Sequence, residues 1–160
     1  MPAERYDSLI VGSGAGGAAA AWQLVQSGQR VLLLEKGPRL PRTAATLDPA
    51  VVIEEGRFKS KEAWRDARGA TLVPEEWFNI GGKTKWYGAA LMRALPHEFC
   101  ADPDFSCRGW PLGEADFAPW YAQAAGLLDA RVFACESDLA ALLVPLGTRG
   151  WVSTPLPMGL

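Results

Sequence analysis

Two short, unbroken apolar runs stand near the start of the chain, YDSLIV at residues 6–11 and RVLLLE at residues 30–35. Continuous runs rich in branched residues, with no alternation of polar positions, predict strands covered on both faces, the habit of parallel sheets. Residues 18–26 between them are rich in helix formers, and Gly28 stands where a helix ends. Lys36-Gly37-Pro38 then marks a turn. Strand, helix and strand within about thirty residues predict a right-handed parallel βαβ unit over residues 5–36.

Beyond this unit the pattern weakens. Pro41, Pro49 and Pro74 punctuate residues 38–78, where a short helix over residues 60–68 is the one element predicted. A second glycine-bearing loop follows over residues 78–93, its last part apolar. Residues 111–130 read as helical, with Glu114 and Asp116 in the first turn and Phe117, Trp120, Tyr121, Ala124 and Leu128 at three-to-four spacing. Pro119 falls early enough to limit or kink that helix. Ser137 is placed as the N-cap of a last helix through Leu143, and residues 151–160 carry no predicted element. The whole, residues 1–160, reads as one partial nucleotide-binding domain.

Composition narrows the function classes. A net charge of −2 gives no basic footprint for nucleic acid. Arg57, Lys59, Lys61, Arg65 and Arg68 are interleaved with Glu62 and Asp66, as on a solvated face. No apolar run approaches the ~20 residues of a membrane span, and the first residues, MPAERYDS, do not read as a secretory leader. Cys100, Cys107 and Cys135 are an odd set that favours free thiols in a reducing, cytoplasmic setting. His97, Cys100 and Cys107 lie close in sequence, but no second close pair completes a tetrahedral metal site.

The chemistry is concentrated in LIVGSGAGGAAA, four glycines in six residues at the junction of strand and helix. A helix N-terminus offers unsatisfied N–H groups and the positive end of its dipole to a phosphate. Gly12 suits the tight turn out of the strand, Gly14 clears a side chain from the phosphate position, Gly16 adds clearance, and Gly17 brings helix and strand together. Glu35, about twenty residues on at the end of the second strand, suits the ribose hydroxyls of an adenosine and would repel a 2′-phosphate. This favours NAD or FAD over NADP. The second loop, with Gly81, Gly82, Thr84 and Gly88, suits a further part of an extended cofactor.

Three blocks, YDSLIVGSGAGGAAAAWQLVQSGQRVLLLEKG, NIGGKTKWYGAALMR and RGWPLGEADFAPWYAQAAGLLDAR, resemble in order the glucose-methanol-choline (GMC) family of FAD-dependent oxidoreductases. The resemblance implies a FAD-binding domain interleaved with a substrate domain, and oxidation of the CH–OH groups of alcohols, sugars or polyols. It places Gly12, Ser13, Gly14, Gly16, Gly17, Glu35, Lys36, Gly81, Gly82, Thr84 and Gly88 at the cofactor. It also implies a catalytic histidine far downstream, which His97, the single histidine, does not match. Lys85 and Trp86 stand near the place where some relatives carry a flavin-linked histidine, so a covalent flavin is not expected. The expected molecule is therefore an N-terminal portion with an incomplete sheet and exposed tryptophans. It is expected to be inactive alone and to be completed by a C-terminal complementing chain. A stand-alone dinucleotide-binding module and a fragment of an NAD-dependent dehydrogenase are the alternatives.

Overall fold

A computed structural model describes residues 4–159. The chain divides into two compact units, residues 1–87 and 88–160.

The first unit opens with β1 (Ser8–Val11), α1 (Ala15–Gln26) and β2 (Val31–Leu34). The strands pair in parallel, Ser8 with Val31 through Val11 with Leu34. This is the expected Rossmann-like βαβ unit. Its helix starts three residues earlier than the sequence predicts, because Gly16 and Gly17 adopt helical backbone despite their low propensity. Gly12 leaves β1 with φ +93°, and its N–H reaches the Leu34 carbonyl at 2.7 Å. At the other end Gly28, φ +83°, donates to the Val25 carbonyl and ends α1. Asp7 ties the return by accepting from the Arg30 N–H at 2.8 Å.

Only two strands form this sheet among the described residues. Both edges are therefore unpaired, and Leu9 and Val11 remain 61% and 81% exposed. Buried apolar residues are few among the described residues, Val52 and Ala89.

The helix predicted over residues 60–68 is not formed. A two-stranded antiparallel hairpin, β3 (Trp64–Arg65) with β4 (Thr71–Leu72), takes its place. Asp66 decides the matter. Its carboxylate accepts from the N–H groups of Arg68 and Ala70 at 2.8 and 2.9 Å, and Gly69 supplies the left-handed backbone, φ +82°. An aspartate that bonds its own following backbone favours a turn over a helix.

In the second unit α2 (Glu114–Leu127) runs through Pro119, and Asp116 folds back to accept from the Gly113 N–H at 2.8 Å. Phe117 on α2 packs against Phe99 and Trp110 at centroid distances of 5.4 and 6.2 Å. The last helix, α3 (Ser137–Gly147), has Glu136 at its N-cap position with no side-chain cap bond, so Ser137 is its first residue and not its cap. It also passes Leu143 and ends beyond Pro145. The tail read as featureless forms β6 (Pro157–Met158), antiparallel to β5 (Arg131–Val132). Met158 also bridges Ala90. These pairings join residues far apart in sequence, which no local pattern reveals.

Candidate functional site

The glycine loop is open where a ligand would need it and tight where the fold needs it. A Cβ at Gly14 or Gly16 would meet no atom within 4 Å. A Cβ at Gly17 would lie 1.9 Å from the Gly12 carbonyl oxygen and 3.3 Å from Ile10. Gly17 is thus the point where α1 touches the strand end, and Gly14 and Gly16 border free space. No side chain caps α1. Its first N–H groups, which have no helical partner, therefore face that space with the positive end of the helix dipole behind them. The residues present fit an anionic phosphate group.

Glu35, just past β2, is a staple. One carboxylate oxygen accepts from the Ser13 N–H at 2.9 Å and the Ser13 hydroxyl at 2.6 Å, and the other accepts from the Gly37 N–H at 2.9 Å. These bonds, that from Gly37 foremost and then those from Ser13, hold its pKa down from 4.5 to about 2. The sign follows directly. The unfolded carboxylate takes up its proton near pH 4.5 and the folded one near 2, so the stability it contributes is complete above pH 4.5 and is lost as pH falls towards about 2. Glu35→Gln should remove this dependence. Denaturant midpoints of wild type and variant should converge over that interval, and a constant gap between them would contradict the staple.

The second loop docks on the first. Ser13 also accepts, through its hydroxyl oxygen, the Gly81 N–H at 2.9 Å. A Cβ at Gly82 would approach the Gly14 Cα to 3.4 Å. Gly81 and Gly82 both take left-handed backbone, φ +93° and +55°. Their N–H groups are used within the protein, Gly81 on Ser13 and Gly82 on the Asn79 carbonyl. The Thr84 hydroxyl donates to the Gly81 carbonyl at 2.5 Å. Lys36 pairs with Glu62, and its ammonium lies 4.2 Å from the centre of the Phe78 ring. Gly88 belongs to the second unit.

Two residues that organise this site were missed from sequence. Asn79, 2% exposed, donates to the Ile80 and Gly82 carbonyls at 3.1 and 3.2 Å and accepts from the Trp86 indole at 3.1 Å. A buried asparagine with its bonds made fixes the loop in one shape. An asparagine two residues before paired glycines is the available signal. Gly37 is the other. A Cβ there would fall 2.0 Å from the Phe78 carbonyl carbon, so the turn after β2 presses directly on the start of the loop.

On the second loop, a cleft of about 320 Å³ in the same unit is lined by Ile80, Lys85 and Trp86 together with Arg39 and Arg42 among others. None of the residues 12–17 and 35 lines it. The candidate site is thus an open cradle and not that cleft. His97 sits in a single helical turn of the second unit, where its carbonyl accepts from the Cys100 N–H at 3.1 Å. Among the described residues no group of His, Cys, Asp and Glu forms a metal site, and no helix is long and apolar enough to cross a membrane.

The βαβ fold is Rossmann-like, and residues 10–54 match the family described as NAD(P)-binding Rossmann-like domain. Over 142 residues the chain is 34% identical to 6'''-hydroxyparomomycin C oxidase of Streptomyces lividus and 32% identical to paromamine 6'-oxidase of Streptomyces fradiae. Each match covers 83% of this chain and 24% of the relative. A 2-methyl-1,2-propanediol dehydrogenase of Mycolicibacterium austroafricanum is 27% identical over 133 residues, 74% of this chain and 23% of that one. The crystal structure of pyridoxine 4-oxidase from Mesorbium loti superposes with a TM-score of 0.48 at 23% identity, over 72% of this chain and 24% of that one. The resemblance carried by the three sequence blocks stands: the chain is akin to the GMC-type oxidoreductases. It spans about a quarter of the length of the curated relatives it matches.

Proposed function

We propose that the chain is the FAD-binding portion of a GMC-type oxidoreductase that acts on CH–OH groups of alcohols, sugars or polyols. One observation carries the reading. The uncapped start of α1 faces open space at Gly14 and Gly16, with the residue 79–86 loop locked beside it through Ser13 and Gly82. In this reading the α1 N–H groups bind the pyrophosphate. Glu35, pre-aligned by Ser13 and Gly37, offers its remaining lone pairs to the adenosine ribose. A carboxylate fixed in its ionised form disfavours a 2′-phosphate, which supports FAD or NAD over NADP.

FAD is preferred over NAD because the second loop, docked on Ser13 and Gly14, is the loop that the GMC resemblance places near the flavin, and because the relatives are oxidases and a dehydrogenase. When bound, FAD would accept the two electrons removed from the alcohol. The names of the matched oxidases favour a sugar-like alcohol as substrate. His97, the sole histidine, does not match the downstream histidine that the GMC resemblance implies, so the base that takes the hydroxyl proton is assigned to the part of the fold that this chain does not span. The proposed partner is that complementing part. Exposed free thiols at Cys100, Cys107 and Cys135 favour a reducing compartment such as the cytoplasm.

The test is competitive reconstitution of the purified chain. FAD should bind with the absorbance of oxidised flavin and be displaced poorly by excess NAD. Saturable NAD binding with no retention of FAD would overturn the flavin assignment and favour the nicotinamide alternative.

A further inference from the structure

The second unit contains a thiol pair that the proposed function does not use. Residues 96–110 fold back on themselves. Asp102 and Cys107 exchange two backbone bonds, Asp102 N–H to Cys107 carbonyl at 3.0 Å and Cys107 N–H to Asp102 carbonyl at 2.8 Å. They enclose the turn at Pro103–Phe105, which closes with Ser106 at φ +54°. Farther out, the Trp110 N–H donates to the Phe99 carbonyl at 2.9 Å. Cys100 and Cys107 therefore lie on opposite arms, Cys107 within the inner cross-link and Cys100 between the inner and outer ones.

The arms are in contact there. A Cβ at Gly109 would fall 2.7 Å from the Ala101 nitrogen and 3.0 Å from the Cys100 carbonyl carbon. The Cys107 sulfur lies 4.0 Å from the Cys100 carbonyl oxygen. The Cys100 sulfur instead faces the Pro96 carbonyl at 3.7 Å, so it must leave that contact to meet Cys107, its diagonal neighbour across the hairpin. Both thiols are exposed, and neither joins a metal cluster among the described residues. Cys135 is on another segment, with its sulfur against the Glu136 carbonyl at 3.6 Å.

We propose that Cys100 and Cys107 are a thiol–disulfide exchange site that closes an intramolecular disulfide on meeting a low-molecular-weight disulfide. One cysteine thiolate attacks a sulfur of the small disulfide, forms a mixed disulfide and releases one small thiol. The second cysteine, losing its proton, then attacks the protein sulfur of that mixed disulfide and releases the other small thiol. The protein is oxidised by two electrons, and the small disulfide is reduced to two thiols. The bond fastens the loop that carries Phe99 and Trp110 against Phe117 of α2.

The test treats the 160-residue chain with glutathione disulfide, then reads intact mass and a non-reducing peptide map. Expected are a Cys100–Cys107 cross-link with loss of two hydrogens, and a separate glutathione adduct at Cys135. Cys100→Ser and Cys107→Ser should each leave the remaining loop thiol as a stable glutathione adduct. Because the fold holds the arms together, the ratio of cross-link to mixed disulfide should be about tenfold higher in the folded chain than in concentrated guanidinium. Separate adducts at both loop thiols, failure of either to react, or an equal ratio folded and unfolded would overturn the proposal.

Discussion

Gly14→Val should fold as the wild type does and lose FAD affinity by about a hundredfold or more. The two halves of this expectation come from different observations. Gly14 has φ −65°, which every residue adopts, and a Cβ there would meet nothing within 4 Å. The protein alone therefore tolerates valine, apart from an N-cap preference of about 1 kcal/mol. A ligand does not. The valine methyls would occupy the space in front of the first α1 N–H groups, where a pyrophosphate would lie. Losing two charge-assisted hydrogen bonds at roughly 1.5–3 kcal/mol each gives the stated factor. Melting of the cofactor-free proteins checks the first half and fluorescence titration of FAD the second. An unchanged dissociation constant in a folded Gly14→Val protein would remove the phosphate site from Gly14.

The second large effect falls on stability and separates glycines that look alike in sequence. Gly37→Ala and Gly17→Ala should each destabilise the cofactor-free protein by about 3 kcal/mol or more, enough to unfold a marginal domain. At Gly37 the methyl would lie 2.0–2.3 Å from the backbone of Phe78 and Asn79, and at Gly17 it would lie 1.9 Å from the Gly12 carbonyl oxygen. Backbone on both sides leaves no side chain to move aside. Gly16→Ala is the contrast. It adds a methyl into open space inside a helix, where alanine is favoured by roughly 0.5–1 kcal/mol. Urea unfolding of the three variants should place Gly16→Ala at or above wild type and the other two far below. Equal effects would mean that the close approaches at Gly17 and Gly37 are not what holds the loop.

The βαβ unit was legible in the sequence because its signals are local. The apolar runs of β1 and β2, the glycine spacing and the turn at Gly28 each act within a few residues. Glu35 was legible as a position. Its partners were not, since Ser13 and Gly37 meet it only once β1 and β2 are side by side. The same holds for Asn79, whose importance lies in reaching Trp86 across the loop. The hairpin at Trp64–Leu72 was misread as a helix because charged and apolar residues there suit either state, and the turn chemistry of Asp66 and Gly69 decides between them. β5 and β6 escaped notice because a two-residue ladder has no period to read.

In the proposed function the start of α1, backed by the residue 79–86 loop, holds the phosphates of FAD. Backbone amide NMR of the full chain, titrated with FAD, tests this most directly. The amide signals of Gly14, Ala15, Gly16 and Gly17 should move together and saturate at one dissociation constant. Those of α3 should stay in place. Saturable binding of FAD that leaves the Gly14–Gly17 amides unmoved would contradict the account.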